Sequence, residues 1–183
     1  MPQKSPSSSN FTFASALEKI ENSKAFKNFK FENSEAELCA GFFVLDFESE
    51  QGKNNQQQLD YCLPDSRIFT FILNTETSEI TMKEAEKIQG QEKKKLEKLN
   101  PKKIKTDLPD IEAILTAKMS QDKIDKKLNK IIAILHKSSE LNKEIWNLNC
   151  MLAGFEILQA WIDTENGSIL KFEKRSMFDF IKR

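Results

Sequence analysis

The sequence predicts an α+β protein made of two similar units, each a helix packed on a three-stranded antiparallel sheet. Three observations predict it. Strand hairpins bounded by turn residues occur at 59–80 and again at 145–170. A candidate helix precedes each hairpin, though Ala16, Leu17, Ile20, Ala25 and Phe26 of the first make no clean apolar stripe. The stretch Ile72 to Ile80 also lies over Trp161 to Ile169, matching Asn/Asp, Thr, Glu, a small residue and Ile in order. The units are expected to pack as one domain or as two small halves. Residues 1–10 form a disordered tail, 11–100 the first unit with a trailing helix, 101–109 a linker and 110–183 the second unit.

A chain of 183 residues, 39% hydrophobic and with 14 Phe, can fill a core of ordinary size. Lys+Arg and Asp+Glu balance at 28 each, so no net field draws the chain to nucleic acid or to an anionic membrane. Its only arginines are Arg67, Arg175 and Arg183. Arginine supplies bidentate phosphate and base recognition, and its scarcity argues further against nucleic acid. The seven lysines between Lys93 and Lys105 lack interleaved aromatic residues and read as a solvated helix end and linker.

Taken in order, Ala14 to Phe29 is expected to form a first helix. Leu38 to Phe47 is a strongly apolar strand, followed by a polar loop from Glu48 to Gln58 that reads as a solvated excursion. Leu59–Leu63 and Arg67–Leu73 flank a Pro64-Asp65-Ser66 turn, and Asn74–Ser78 turns into a short strand at Glu79-Ile80. Thr81 and Glu84 have capping-box spacing and are expected to launch a helix toward Leu99, ended by Pro101. A helical region begins at Asp110. After a break at Ser120, Ile124, Leu128, Ile131, Ile132 and Leu135 keep the spacing of one helix face. Trp146, Leu148 and Cys150 alternate with Asn147 and Asn149, the pattern of a half-buried strand. Gly154 marks a turn, Glu156–Ile162 pairs back, and Asn166-Gly167 closes a hairpin into Ile169-Leu170. Met177–Ile181 is amphipathic and is expected to pack on the body.

Trp146 and the Asp163-Thr164-Glu165-Asn166-Gly167-Ser168-Ile169-Leu170 turn resemble a PepSY domain, in which an Asp-x-x-x-Gly-x-Ile/Val turn leads into a third strand. Leu59–Ile80 is similar to a degenerate second copy, with Tyr61 at the aromatic position and Asn74 and Ser78 in place of Asp and Gly. The resemblance implies a tandem, non-catalytic α+β module of the peptidase-inhibiting or protein-binding kind. Such proteins are typically exported, whereas no export signal is visible in this sequence.

Chemistry-bearing residues are sparse. Cys39, Cys62 and Cys150 form no CxxC pair and read as three buried thiols in a reducing compartment, which places the protein in the cytoplasm. The single histidine, His136, falls at the end of the expected Ile124–Leu135 helix, where an imidazole faces the negative end of the dipole. The five glycines are isolated, so no phosphate-cradling loop exists. Asp163, Glu165 and Asn166 are explained by turn geometry rather than by cation binding. The most apolar window, Ile145–Ile162, is interrupted by Asn147, Asn149, Glu156 and Gln159, and no membrane span is expected. These residues predict no catalytic group, no metal and no cofactor, and hence no enzyme.

The expected function is therefore a binding or regulatory module for a protein or peptide, with Trp146, Phe155 and Trp161 as candidate partner-binding residues. An edge strand offers homodimerisation as a further option. The alternative is a small-ligand carrier or enzyme with an apolar pocket between helix and curved sheet.

Overall fold

The computed structural model describes residues 11–84 and 97–176 of the chain. Two helices come first, α1 (Phe13–Asn22) and α2 (Lys24–Glu32). They occupy the span expected to be one helix. Ser23 separates them: its backbone is extended (φ −68°, ψ 152°) while its hydroxyl accepts from the Phe26 N–H at 3.1 Å. An N-cap residue thus ends one helix and starts the next.

Four strands follow: β1 (Glu37–Asp46), β2 (Gln56–Cys62), β3 (Ile68–Leu73) and β4 (Ile80–Glu84). Then come α3 (Leu108–Gln121) and four more strands: β5 (Leu128–Ser138), β6 (Lys143–Leu152), β7 (Glu156–Asp163) and β8 (Ile169–Ser176). All eight join one antiparallel sheet in the order β4-β3-β2-β1-β5-β6-β7-β8. This corrects the expected fold class of two helix-plus-three-stranded units. Each half contributes four strands, and the pairing of β1 with β5 fuses them into a single sheet.

The expected Ile124–Leu135 helix is the main error behind that correction. Residues 128–138 are strand β5, with Ile131, Ala133 and Leu135 buried on one face and Ile132 and Ile134 on the other. His136 consequently sits in mid-sheet beside Ala40 and Ile145, not at a helix end. The capping-box expectation at Thr81 fails similarly. Thr81–Glu84 pairs with β3 as an edge strand, Glu97–Leu99 is irregular, and the rest of that expected helix lies outside the described residues. The 1–10 tail and the Met177–Ile181 segment lie outside them too. The polar loop is shorter than expected, because Gln56–Gln58 already belong to β2 and Gln57 is only 4% exposed.

The described helices all pack on one sheet face. Phe43, Leu59, Phe71, Leu135, Trp146 and Leu148 form the floor there, and Ile20, Phe29, Ile111 and Leu115 close over it. Phe26 and Phe29 meet Tyr61, Phe69 and Phe71 in tilted and edge-to-face contacts, with centroids 4.8–6.4 Å apart. On the floor, Gly41 has no room for a side chain: a Cβ would stand 2.9 Å from Phe43 Cε2.

The expected linker is fixed to the body. Lys105 and Thr106 N–H groups donate to Thr164 O at 2.9 and 2.8 Å, and Trp146 Nε1 donates to Thr106 O at 2.9 Å. At its end Asp107 N-caps α3 in a capping box with Asp110. The same carboxylate accepts from the first N–H groups of α1, Phe13 at 2.7 Å and Ala14 at 3.1 Å.

Cys39 and Cys62 are joined in a disulfide with Cα atoms 6.0 Å apart, which corrects the expectation of three thiols. The register shifts between Leu38 and Ala40, leaving Cys39 as the extra residue of a β-bulge opposite Tyr61 and Asp60, two residues along β1 from Glu37, the register partner of Cys62. Cys150 alone is a free thiol, buried, and pushed up to about 12 by that burial.

Candidate functional site: the sheet face opposite the helices

Side chains alternate across a strand, so each residue paired with a core residue's neighbour points away from the helices. On that opposite face one continuous row crosses every strand: Thr81, Ile72, Gln58, Phe42, Ile134, Asn147, Trp161 and Lys171. With strands roughly 4.8 Å apart, the row spans about 34 Å. An apolar pair, Phe42 and Ile134, occupies its centre. An amide flanks the pair on either side, then an apolar residue, then a polar edge. Beside it runs a second row, Gln56, Val44, Ile132, Asn149, Gln159 and Glu173. Among the described residues no helix packs on this face.

Its polar groups are partly engaged. Gln159 Nε2 donates to Asn149 Oδ1 at 3.0 Å, and Lys171 Nζ stands 5.0 Å above the Trp161 ring. In a third row, Asp60 accepts from Thr70 Oγ1 at 2.6 Å beside Ala40. Burial holds the Asp60 carboxyl above the usual range, only partly offset by the Thr70 bond. His136 lies two strands from Asp60 in that row, its Nδ1 3.2 Å from Lys137 O.

At one corner of the face the loop after β1 and the β3–β4 turn touch, Thr75 Oγ1 donating to Asn55 O at 3.4 Å. Both border a cavity of ≈ 330 Å³, with Gln56, Gln58, Ile72 and Thr81 among its other lining residues. The loop is held by Asp46, whose carboxylate accepts from the N–H groups of Glu48 and Ser49 and pairs with Lys130 at 3.2 Å. Burial alone would raise Asp46, but these partners together hold it below the usual carboxylate range.

The three candidate partner residues do not share a surface. Trp146 is fully buried in the core on the helix side. Trp161 lies on the opposite face, in the row just described. Phe155 occupies the β6–β7 turn at φ 60° and is 69% exposed. Phe42, Ile132, Ile134, Asn147 and Gln159 were not among the expected site residues. Their signal was the second apolar phase of β1 and β5, hidden because both phases of those strands are apolar.

The two turns aligned in the sequence share their hydrogen bonding. Asn74 N–H donates to Glu79 O and Ser78 N–H to Asn74 O; likewise Asp163 N–H donates to Ser168 O and Gly167 N–H to Asp163 O. Ser78 and Gly167 both adopt positive φ, 58° and 71°. Asp163 is buried and pairs with Lys143 at 2.8 Å. Burial would raise its carboxyl, but Lys143 and the N–H groups of Glu165 and Asn166 hold it below the ordinary value.

No protein-family model matches the chain, and no curated protein matches it. A solved structure from Clostridium difficile 630, named "putative lipoprotein", is similar in fold, with a TM-score of 0.50 and 14% identity. The similarity covers 82% of this chain and 90% of that one. No described helix is long and apolar enough to cross a membrane.

Proposed function

We propose that the protein is a binding module that holds a polypeptide partner on the sheet face opposite its helices. The observation that carries this reading is the row from Thr81 to Lys171, with apolar side chains at its centre flanked by amides. Apolar contact with interspersed hydrogen-bonding groups is the make-up of non-obligate interfaces, and an amphipathic aromatic such as Trp161 is a usual anchor. The residues expected to bind the partner are accordingly Phe42, Ile132, Ile134 and Trp161, with Asn147 and Gln159 fixing register.

The Cys39–Cys62 bond supports placing this activity in an oxidising compartment, because a reducing cytosol keeps such pairs as thiols. That weighs against the cytoplasmic expectation.

A photo-crosslinking side chain placed at 134, 147 or 159 tests the proposal, with exposed positions 18 and 27 on the helices as controls. One polypeptide captured at the sheet positions, and lost when Trp161→Ala is added to a chain of unchanged circular dichroism, supports it. Capture of a second copy of the chain identifies the partner as itself. Equal capture from the helix positions, or capture indifferent to Trp161→Ala, sinks it.

A further inference from the structure

We propose that the corner cavity binds a neutral, multiply hydroxylated ligand, a saccharide ring. This is separate from the polypeptide reading, since it requires neither Trp161 nor Ile134. The cavity of ≈ 330 Å³ lies at the lower end of the roughly 300–1,000 Å³ of small-molecule sites. Six side chains around it, Lys53, Gln56, Gln58, Glu76, Glu79 and Thr81, spend no hydrogen bond or ion pair on the rest of the described chain.

The chemistry of these groups selects the ligand. Glutamine amides offer a donor and an acceptor at once, Lys53 donates only, the two carboxylates accept only, and Thr81 does both. A hydroxyl satisfies each of them, because it donates and accepts, and a ring bearing several hydroxyls can meet them together. An anionic ligand would meet Glu76 and Glu79 against the single charge of Lys53, and a cationic ligand would leave Lys53 opposed. Ile72 supplies an apolar floor suited to the C–H face of a sugar ring. The ligand exchanges hydrogen bonds with water for hydrogen bonds with protein, so binding is expected in the millimolar range.

The test is a titration of the ¹⁵N-labelled chain with D-glucose, D-galactose, D-mannose and N-acetyl-D-glucosamine, with glycine and L-lysine as charged comparators. A sugar should shift the side-chain amide signals of Gln56 and Gln58 to saturation. Gln58→Leu and Thr81→Val should each weaken it about fivefold, the loss of one ordinary hydrogen bond. Both residues are partly or fully exposed, and the backbone spectrum verifies that the variants fold. Cellotetraose and chitotetraose distinguish the source. Affinity equal to that of the monomer assigns a free sugar, whereas tighter binding assigns a glycan continuing toward Phe42. The proposal is overturned if no sugar shifts these amides, if glycine or lysine shifts them more strongly, or if the variants bind as well as the parent.

Discussion

Replacing the half-buried Asp107 with alanine should destabilise the protein, because one carboxylate serves the starts of two helices. The carboxylate caps α3 in a box with Asp110 and accepts from Leu108 N–H at 2.7 Å. It also serves Phe13 and Ala14, while Thr12 Oγ1 serves Ser15 at 3.0 Å, so the free N–H groups of the first turn of α1 are all accounted for. Loss of an N-cap costs about 1 kcal/mol. Loss of charge-assisted bonds to a second helix, one to a half-buried N–H, adds about 2 kcal/mol. The sum, about 3 kcal/mol, corresponds to a fall of roughly 6–12 °C in Tm for a chain of this size. Asp107→Asn keeps one oxygen but turns an N–H toward a donor, and about half the loss is expected. Urea unfolding monitored by circular dichroism gives the numbers, with an unchanged m-value showing that the same surface is exposed. A loss below about 1 kcal/mol for the alanine variant would mean that water replaces the carboxylate at α1, and the tie between the two helices would carry no weight.

Three other consequences are measurable. Under non-reducing denaturation one thiol, Cys150, should react per chain, and Cys39→Ser with Cys62→Ser should cost about 3 kcal/mol by loop-entropy arithmetic for this spacing; three reactive thiols in protein isolated without reductant would refute the pairing. Asp60 is held above its ordinary pKa by burial, so its ionised form at neutral pH opposes folding; Asp60→Asn should stabilise the protein at pH 7, and the gain should shrink as pH falls through the raised pKa. A constant or negative effect across that range would show the carboxylate to be favourably solvated. Asp46 and Asp163 are held below the model-peptide value of 3.8, so their contribution is complete above that pH and lost as pH falls through the lower folded values; Lys143→Met should weaken the acid-side dependence measured by urea midpoints, and an unaltered pH profile would contradict it.

What could be read from the sequence is what short-range chemistry determines. The turns at Asn74–Ser78 and Asp163–Gly167 were legible because Asn74 and Asp163 bond to amides only two or three residues on, within the span that sequence spacing encodes. The hairpins around them followed, as did α3 from near its start at Asp110. The capping-box spacing at Thr81 shows the limit of the same signal. It is a local preference worth about a kilocalorie. A full register of pairs with β3, Phe69 to Leu73 against Glu84 to Ile80, overrides it.

Strand β5 misled for a different reason. It lies at the centre of the sheet between β1 and β6, and both faces of it are apolar: Ile131, Ala133 and Leu135 toward the helices, Ile132 and Ile134 toward the opposite face. A strand apolar on both sides has no alternation to read, and its apolar positions fit a helix face by coincidence. Three isoleucines at 131, 132 and 134 were the remaining clue, since β-branched side chains favour a pleated surface. The doubly apolar strand that hid the topology also carries the candidate site. Toward the helices β5 needs apolar residues to close the core. On the other face no described helix demands them, yet Ile132 and Ile134 stand beside Phe42 and Val44 of β1. A face with no function would be expected to alternate to polar residues there, as Gln56 and Gln58 do in β2. The apolar centre confined to the middle strands is therefore the feature on which the proposed polypeptide contact rests.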